Sequence, residues 1–499
     1  MNLVEIIDLN AEKFGDKANL RYNGQTFTFA QVKQNADKAA AVLQGWGVQK
    51  GDIVAIMSFN TPAYVFAFFG ALKAGAAVVP VNHKLTAPEV DYILEHSGAS
   101  VFLFDGALGE VAAKVQNKAR KASIDTAAEG FESFEAALDA AGAYRPVAVA
   151  ADDLAEILYT SGTTGKPKGC LHSHKNVLLA GINAGGLGMK MDDSDILLMA
   201  MPIWHSSPLN NWFMAAQYVG ATTVLLREYH PLFFLQAIQD ERCTVYFGAP
   251  ISYIMPTQML PNFGEFDLSS MRCFIYGGGP ISSNVAKMLM EKYGSTNFYQ
   301  VYGMSESGPT GTFLPPEMQL AKAGSIGNKS LPGSHIKVMD EDGNPVQPGQ
   351  AGEIWLRGDT MMSGYLNDEE ATKDAFEGPW YKTGDVARVD EDGYLYIVDR
   401  KKDMIVTGGE NVYSKEVEDA ISVHSGVAEA AVIGRPHPEW GETVTAVVVP
   451  AAEGAPTEDE LRAFLTERLA KYKIPRKIEF RQELPHTPTG KIQKYLLRD

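Results

Sequence analysis

Charged residues are missing from a long apolar stretch near the start of the chain. Residues 53–72 run for 20 positions without a charged side chain, which is the length of a membrane-spanning helix. The Ser-Phe-Asn-Thr-Pro segment at 58–62 interrupts this stretch with polar residues and a helix breaker. The pattern therefore predicts a buried β-α-β unit instead of a span, with a strand over 53–57, a helix over about 63–74 and a strand over 77–81.

The same order of strand, helix, glycine and strand occurs again further along. It covers residues 52–79 and then residues 195–225, with Gly75 and Gly220 at the ends of the two helices. Crossovers of this kind build parallel sheets with helices on both faces. We therefore predict an α/β fold whose large N-terminal domain contains two similar subdomains, although all α/β folds repeat this order.

Two later regions of the chain have sequence patterns of their own. Residues 106–145 are rich in Ala, Lys and Glu, which predicts surface helices. Between about 324 and 396, short alternating stretches are broken by Gly, Pro and Asp-Gly pairs, as in antiparallel strands joined by hairpin turns. We expect a β-barrel-like part in this region.

Five consecutive charged residues at 399–403 separate two apolar strands and mark an exposed joint. Downstream, Thr457 and Glu460 have the spacing of a capping box at a helix start. About 100 residues with their own elements make a small α+β domain. Its predicted elements are helices over 416–422 and 458–470 and strands over 428–433 and 443–449.

Composition narrows the class of protein. Of the 499 residues, 45% are apolar and 21% are charged, which is ordinary globular usage and excludes wholesale disorder. The formal charge of −17 and the pI near 5.1 disfavour nucleic acids and anionic membranes as partners. Cys170, Cys243 and Cys273 form no close pair, and the N-terminus lacks the basic region of a signal peptide. We therefore expect a cytoplasmic protein without a membrane span.

Residues 159–169, Tyr-Thr-Ser-Gly-Thr-Thr-Gly-Lys-Pro-Lys-Gly, are the strongest chemical signal in the sequence. Glycines let backbone N–H groups approach an oxyanion, hydroxyls add donors and lysines add positive charge, which together suit a polyphosphate. The segment is not a Walker A loop, because Pro167 follows Lys166 and no glycine precedes Gly165 by five positions. A flexible surface linker is the plain alternative.

Four more clusters contain candidate binding groups. Residues 275–280 end a predicted strand with three glycines, against which a flat ring can lie. Residues 299–307 combine aromatic rings and hydroxyls with a carboxylate that could hold Mg²⁺. Residues 381–385 end in an acid that could accept both hydroxyls of a ribose, and residues 487–491 present Lys491 on a Gly/Pro-rich loop. Taken singly, the clusters at 275–280, 381–385 and 487–491 are also explained as ordinary turns or solvated loops.

Three histidines are candidates for chemistry. His172 and His174 are spaced as a metal-binding pair, but no third ligand is evident and the polarity of a loop explains them better. His205 is expected to end a strand at its carboxyl edge, where open α/β sheets bind ligands. Packing beside Trp204 explains His205 equally well.

Taken together and in this order, the clusters resemble those of the adenylate-forming superfamily of acyl- and aryl-CoA synthetases, nonribosomal adenylation domains and luciferases. The resemblance covers nearly the whole chain and is most specific at 159–169. It extends to Tyr-Gly-Met-Ser-Glu at 302–306, Thr-Gly-Asp at 383–385, Asp-Arg at 399–400, Gly-Gly-Glu-Asn at 408–411 and Pro-Thr-Gly-Lys at 488–491.

The resemblance implies a two-step reaction. A carboxylate attacks the α-phosphate of ATP to give an acyl-adenylate and pyrophosphate, and a thiol then attacks this mixed anhydride and releases AMP. ATP, Mg²⁺ and coenzyme A are the implied cofactors, and a small carboxylic acid and CoA are the implied partners. The sequence leaves the oligomeric state open, a homodimer included.

The resemblance also implies roles for individual residues, with His205 as a catalytic residue. Thr160, Ser161, Gly162, Thr163, Thr164, Gly165 and Lys168 would grip the β- and γ-phosphates of ATP. Gly278, Gly279, Gln300, Tyr302 and Gly303 would frame the adenine, Ser305 would touch the α-phosphate, Thr160 and Glu306 would hold Mg²⁺, and Asp385, supported by Arg400, would bind the ribose.

Lys491 has the central role that the resemblance implies, which is to bridge the carboxylate and the α-phosphate. These two anions repel each other, so the first step needs a cation that arrives late and leaves before thiolysis. A lysine on a small domain behind a hinge at Lys402 can do that. The implied domains are 1–399, a hinge at 400–402 and a mobile domain over 403–499, in which Gly408, Gly409, Glu410, Trp440 and Lys473 would contact CoA.

Some positions depart from the family pattern or concern the substrate. Ser305 stands where relatives more often have Thr, and Cys-Leu-His-Ser-His at 170–174 is an uncommon variant. The resemblance implies an acid near His205 in relatives that activate amino acids, and this sequence has none there, which argues against an amino-acid substrate. No cation lies at 204–213 or 277–280, which favours an apolar acid. Trp204, Trp212, Phe213 and Tyr253 could floor a short pocket or flank a longer channel.

Three functions remain in competition at this point. The first is an ATP-dependent acid–thiol ligase that makes an acyl- or aryl-CoA. The second keeps the adenylation but transfers the acyl group to the phosphopantetheine of a separate carrier protein. The third, a nucleotide-binding module without ligase chemistry, is disfavoured because all five clusters and Lys491 are intact.

Overall fold

A computed structural model describes residues 1–160, 166–279, 281–401, 403–407, 410–438, 441–486 and 492–498. Its α-helices are Leu3–Phe14 (α1), Phe29–Gly45 (α2), Pro62–Lys73 (α3), Ala87–Ser97 (α4), Gly109–Lys114 (α5), Phe134–Asp139 (α6), His174–Gly181 (α7), Met214–Val219 (α8), Pro231–Glu241 (α9), Pro250–Met259 (α10), Ser283–Tyr293 (α11), Glu369–Ala375 (α12), Ser414–Ser422 (α13) and Glu458–Thr466 (α14).

The strands belong to four sheets. In chain order they are Ala18–Tyr22 (β1), Gln25–Thr28 (β2), Ile53–Met57 (β3), Ala77–Val81 (β4), Val101–Asp105 (β5), Arg120–Ile124 (β6), Glu132–Ser133 (β7), Leu154–Thr160 (β8), Lys168–Ser173 (β9), Ile196–Met199 (β10), Thr222–Leu225 (β11), Val245–Gly248 (β12), Cys273–Gly277 (β13), Phe298–Tyr302 (β14), Thr312–Leu314 (β15), Lys329–Ser330 (β16), Ser334–Met339 (β17), Ala351–Gly358 (β18), Phe376–Glu377 (β19), Trp380–Val389 (β20), Leu395–Arg400 (β21), Ile405–Thr407 (β22), Glu410–Val412 (β23), Val427–His437 (β24), Gly441–Pro450 (β25) and Lys477–Phe480 (β26).

The predicted β-α-β unit lies in a seven-stranded sheet of order β7-β6-β5-β3-β4-β8-β9. Strands β3 and β4 pair in parallel, and α3 connects them. Helix α3 begins at Pro62 because Thr61 accepts a hydrogen bond from the Tyr64 N–H and proline suits a first helical position. Tyr64, Phe68 and Phe69 are at most 1% exposed, so α3 is apolar all round. Burial on every side explains the resemblance of this stretch to a membrane span.

Helices in the described ranges do not combine the length and the apolar character that crossing a bilayer requires. The prediction that residues 53–72 form no span is therefore confirmed for the helix that they contain, α3.

The second predicted unit lies in a nine-stranded sheet of order β16-β15-β14-β13-β12-β10-β11-β1-β2. Strands β10 and β11 pair in parallel, as β3 and β4 do. Their connection consists of a π-helical segment, Ser207–Phe213, followed by α8, which ends at Gly220 with φ of 83°. Glycine suits this helix end because it adopts positive φ without strain. The two parallel units confirm the predicted α/β class and the repeated order of strand, helix and strand, and both belong to sheets of the same unit.

The prediction of surface helices over 106–145 is wrong in part. Helices α5 and α6 are short, and the residues between them form β6, which extends the seven-stranded sheet in parallel with β5. Ala122 and Ile124 are fully buried there. Strand β6 has only five residues and begins with two basic ones, so its alternation of polar and apolar residues is too weak to distinguish a strand from a helix.

The later part of the chain forms two smaller sheets. One has the order β17-β18-β20-β19, with β21 paired to β20, and is the barrel-like part that the sequence predicts. The other has the order β23-β22-β25-β24, with β26 paired to β25. Helix α14 begins at the predicted capping box of Thr457 and Glu460 but ends at Thr466, earlier than expected. Contacts divide the chain into one unit of residues 1–336 and 356–381 and a second unit of residues 337–355 and 382–499.

Candidate functional site

The ends of the β8–β9 hairpin position the two outer residues of the predicted phosphate loop. Thr160 ends β8 and pairs with Lys168, which begins β9. The Lys168 Nζ lies 3.7 Å from a carboxylate oxygen of Asp368 and 4.9 Å from the centre of the Tyr365 ring. The hairpin therefore fixes a hydroxyl and a cation at the end where its connecting loop begins and ends, while Ser161, Gly162, Thr163, Thr164 and Gly165 lie outside the described residues.

Glu306 lies in a short 3₁₀ turn after β14 and is 8% exposed. The Tyr365 hydroxyl donates to Glu306 Oε1 at 3.2 Å and lies 3.3 Å from the Tyr381 hydroxyl. Burial and then the charge of Glu306 raise the pKa of the Cys170 thiol, whereas a hydrogen bond with Thr160 lowers it. Cys170 forms a β-bridge with Tyr365, the residue that contacts both Lys168 and Glu306, so the Glu306 turn is linked to β9 through Tyr365.

This arrangement fits Mg²⁺ shared with phosphates. The described residues contain no group of three or more His, Cys, Asp and Glu side chains that could hold a metal ion by themselves. Mg²⁺ is commonly held by one or two carboxylates together with substrate phosphates, and Glu306 supplies one such carboxylate. The ion would neutralise charge on the phosphates when it is bound.

The residues predicted to frame the adenine lie at the ends of β13 and β14. Gly278 follows β13 with φ of 80°, and a Cβ placed on it would meet nothing within 4 Å. Gln300 is 3% exposed, and its Oε1 has no hydrogen-bond partner. A Cβ on Gly303 would lie 2.2 Å from the Pro309 carbonyl oxygen, so only glycine fits there. Bare backbone at Gly278 and Gly279 and an unsatisfied amide oxygen suit a flat, polar ring.

Ser305 is held from two directions. Its hydroxyl lies 3.0 Å from the Ser206 hydroxyl, and its carbonyl oxygen lies 2.8 Å from His172 Nε2. His172 is fully buried on β9, and burial lowers the pKa of His172 to about 4. The interpretation of His172 and His174 as polar loop residues is therefore wrong, because His172 belongs to a buried strand and His174 begins α7 at 1% exposure.

His205 lies beyond the end of β10, in the turn that precedes the π-helical segment, so the prediction that it ends a strand is wrong. The centres of the Trp204 and His205 rings are 4.0 Å apart. The Trp204 Nε1–H donates to His83 Nδ1 at 2.9 Å, and burial lowers the pKa of His83 to about 4. A neutral imidazole therefore accepts this bond and fixes the indole on which His205 packs.

Asp385 and Arg400 belong to the second unit and face each other across β20 and β21. The Arg400 Nε lies 2.5 Å from Asp385 Oδ1, and Asp385 is 5% exposed. The Asp385 N–H donates to the Thr383 hydroxyl at 3.0 Å. The predicted carboxylate and its supporting cation are thus fixed together.

Most residues assigned to CoA and to domain movement lie outside the described residues, namely Lys402, Gly408, Gly409, Trp440 and Lys491. Glu410 begins β23. Lys473 lies 2.7 Å from Glu416 Oε1, and this surface ion pair does not test a role in binding CoA. The roles of these residues stay predictions.

Two family models match the chain. One describes an AMP-binding enzyme and matches residues 7–366, and the other describes an AMP-binding enzyme C-terminal domain and matches residues 416–491. The chain belongs to the AMP-binding enzyme family. A feruloyl-CoA synthase of Amycolatopsis sp is 37% identical over 476 residues, which are 95% of this chain and 94% of that protein.

Further relatives share the whole length of this AMP-binding enzyme. The fatty acid–acyl-carrier-protein ligase ScoC of Streptomyces coeruleorubidus is 34% identical over 509 residues, which cover 100% of this chain and 96% of ScoC. The o-succinylbenzoate CoA synthetase MenE of Bacillus subtilis, solved with the acyl-adenylate intermediate OSB-AMP, is 30% identical with a TM-score of 0.88 over 99% of this chain and 98% of its own. MenE has also been solved with ATP and magnesium ion.

The AMP-binding enzyme is therefore of the AMP-forming acyl-CoA synthetase class, which uses ATP, Mg²⁺ and coenzyme A. The fold class predicted from the sequence agrees with the solved structures.

Several residues of the site escaped the sequence analysis. Tyr365, Asp368 and Ser206 contact predicted site residues, but none lies in a motif that draws attention. The sequence could have indicated Ser206, because it directly follows the candidate His205. It could not have indicated Tyr365, because the contact of the Tyr365 hydroxyl with Glu306 joins residues far apart in the chain.

Proposed function

We propose that this AMP-binding enzyme activates an apolar carboxylic acid as an acyl-adenylate and transfers the acyl group to coenzyme A. The observation that carries the proposal is that Tyr365 contacts both Lys168 and Glu306: the Lys168 Nζ lies 4.9 Å from the centre of the Tyr365 ring, and the Tyr365 hydroxyl donates to Glu306 Oε1 at 3.2 Å. Thr160 pairs with Lys168 across the hairpin, and Ser305 precedes Glu306 in the chain. A hydroxyl pair, a cation and a nearly buried carboxylate suit a metal-bound polyphosphate better than any apolar ligand.

In the first step, a carboxylate oxygen of the acid attacks the α-phosphorus of ATP, and the bond to the β-phosphate oxygen breaks to release pyrophosphate. Ser305 would contact the α-phosphate, and the 160–168 loop would hold the β- and γ-phosphates. Glu306 and Thr160 would hold Mg²⁺. Gly278, Gly279, Gln300, Tyr302 and Gly303 would frame the adenine, and Asp385 and Arg400 would bind and support the ribose.

Lys491 would supply the cation that lets the carboxylate approach the α-phosphate. In the second step the CoA sulfur attacks the acyl carbon, AMP leaves with the bonding oxygen, and the thiol proton passes to solvent. The same lysine is no longer required there. A hinge at Lys402 between residues 1–399 and 403–499 would remove it and bring Gly408, Gly409, Glu410, Trp440 and Lys473 to the CoA.

The nature of the acid follows from the residues around His205. Residues 204–213 contain no lysine or arginine that could bind a second carboxylate. Trp204 is 8% exposed and fixed by His83, which provides a rigid apolar wall. The names of feruloyl-CoA synthase and of the fatty acid ligase ScoC support aromatic and aliphatic acids alike. We therefore propose an apolar aryl or aliphatic acid.

A carrier protein is the second candidate acceptor, and the name of ScoC supports it. In that case the enzyme would form the same adenylate but would transfer the acyl group to the phosphopantetheine of a separate protein. Free CoA would then be inert.

A panel of aromatic and aliphatic acids, assayed for pyrophosphate and AMP, tests the proposal. We expect equal amounts of both products, dependent on acid and on CoA, with dicarboxylic acids inactive. Acid-dependent pyrophosphate exchange without acyl-CoA formation would favour the carrier protein, and thioester formation on an added phosphopantetheinylated carrier would establish it. ATP consumption that ignores the acid would contradict both.

A further inference from the structure

Two polar side chains lie buried next to each other under the nucleotide side of the first unit. Glu156 on β8 and His172 on β9 are direct partners in the antiparallel pairing, so their side chains leave the sheet on the same face. Both are 0% exposed. Buried polar groups of this kind need hydrogen-bond partners, because an unsatisfied group in an apolar surrounding is costly.

His172 has one partner and one unsatisfied nitrogen. Its Nε2 lies 2.8 Å from the Ser305 carbonyl oxygen, which can only accept, so Nε2 carries the hydrogen. Its Nδ1 is therefore a bare acceptor, and it is buried without a partner. The tautomer that holds Ser305 thus leaves an acceptor facing the interior.

Glu156 has the complementary arrangement. One carboxyl oxygen, Oε1, accepts from the Asn210 side-chain amide, and the other, Oε2, is buried without a partner. Burial raises the pKa of Glu156 to about 8, so the carboxyl group is protonated at neutral pH. A protonated Oε2 is a donor, which is what His172 Nδ1 lacks.

The helical segment after His205 is linked to Ser305 in two ways, by one direct hydrogen bond and by a series of neighbouring side chains. Ser206 contacts the Ser305 hydroxyl directly at 3.0 Å. Asn210, in the following π-helical segment, donates to Glu156. Glu156 pairs with His172 across the two strands, and His172 donates to the Ser305 carbonyl oxygen. Ser206 and Asn210, the first residues of these two links, lie about one helical turn apart, and both links end at Ser305.

We propose that Glu156, as an uncharged carboxylic acid, donates to His172 Nδ1 through one bridging water molecule, and that this pair positions Ser305 for the nucleotide. Glu156 and His172 are positioning residues, since neither touches the nucleotide. The inference rests on the proposed contact between Ser305 and the α-phosphate. It gives the unusual His172 a function that the family resemblance does not supply.

Calorimetric titration of the full-length enzyme with Mg·ATP, without any acid, tests the pair. We expect Glu156→Leu and His172→Leu each to weaken binding about tenfold. Glu156→Gln should bind within about twofold of the wild type, because the amide donates like the protonated acid. Tyr64→Phe is the matched control, since Tyr64 is 0% exposed in the same unit and its hydroxyl has no hydrogen-bond partner, Ser305 included. It should leave binding unchanged.

Two polar variants keep the test valid if the leucine variants fail to fold. In His172→Gln the amide nitrogen takes the place of Nε2 and can still donate to Ser305, so we expect binding within about threefold of the wild type. In His172→Asn the amide is too short to reach Ser305, so the tenfold loss should remain. The double variant Glu156→Leu/His172→Leu should lose no more than either single variant, because the pair acts as one unit.

Glu156→Gln as damaging as Glu156→Leu would overturn the proposal, because it would require a charged carboxylate. Equal binding by all variants, with only a lower melting temperature, would reduce the pair to a structural role and overturn it as well. Both outcomes differ from failure of the proposed function, in which the wild-type enzyme itself would not bind Mg·ATP.

Discussion

At the scale of single residues, Asp385 offers the clearest test of nucleotide binding in the second unit. Its carboxylate is 5% exposed and is held by Arg400. Asp385→Asn removes the charge that would accept both ribose hydroxyls, so we expect KM for ATP to rise about 10- to 100-fold. KM for the acid should change little. Steady-state kinetics with ATP varied at saturating acid and CoA measure both constants.

Asp392→Asn is the matched control, because Asp392 is exposed in the turn between β20 and β21. An Asp385→Asn enzyme with wild-type KM for ATP would remove the ribose assignment.

Glu306 provides a second test at this scale, directed at the metal. Glu306→Gln keeps the shape of the side chain but loses the charge that would bind Mg²⁺, so we expect the Mg²⁺ concentration for half-maximal activity to rise at least about tenfold. Tyr365→Phe leaves the Glu306 carboxylate in place but removes the hydrogen bonds of the Tyr365 hydroxyl to Glu306 and Tyr381, so it should raise this concentration about three- to tenfold. Glu317→Gln, an exposed residue in the 3₁₀ turn Pro316–Met318, should leave it unchanged. Identical Mg²⁺ dependence in all three variants would contradict the assignment.

At the scale of secondary-structure elements, the hydrophobic pattern predicts helices and strands correctly where nearly all their side chains are buried. Strand β3 and the apolar helix α3 follow from the uncharged stretch 53–72, β4 follows from the apolar run after it, and α14 begins where its capping box predicts. The pattern fails for β9, because Cys-Leu-His-Ser-His lacks the apolar alternation of a strand although His172 is fully buried. Such a strand is stabilised by pairing with β8 and by specific hydrogen bonds, which a one-dimensional pattern does not reveal.

Buried histidine and glutamate side chains of the first unit predict how the free energy of unfolding depends on pH. The folded pKa of His172, about 4, lies below the ordinary 6.5, so its contribution is present above pH 6.5 and is lost as the pH falls towards 4. His83 and His174 act in the same direction. The folded pKa of Glu156, about 8, lies above the ordinary 4.5, so its contribution is lost as the pH rises towards 8. Together these groups place the maximum of stability near pH 6.5.

Urea unfolding followed by tryptophan fluorescence at pH 5, 6.5 and 8 measures this profile. In Glu156→Gln we expect the decline between pH 6.5 and 8 to flatten by about 1.4 kcal/mol per pH unit, the effect of one proton. His172→Leu should flatten the decline below pH 6.5 by a similar amount. Unchanged slopes in both variants would show that neither group titrates as its burial requires.

At the scale of the whole molecule, the residues assigned to one nucleotide belong to two units. Ser305 and Glu306 lie in the first, whereas Asp385 and Arg400 lie in the second. The sequence resemblance pairs Asp385 with Arg400, and the structure places their side chains in an ion pair. It does not provide the interior contacts of Glu156, His172 and Tyr365, because these depend on packing between segments far apart in the chain.

The central claim is that one lysine is needed for adenylation and dispensable for thiolysis. Lys491→Ala should lower acid-dependent pyrophosphate exchange by at least about a thousandfold, because the carboxylate and the α-phosphate then meet without a bridging cation. Thioester formation from supplied acyl-adenylate and CoA should stay within about threefold of the wild type. Lys477→Ala, at a lysine 58% exposed on β26, should change neither rate. An equal loss of both half-reactions in Lys491→Ala would contradict the account.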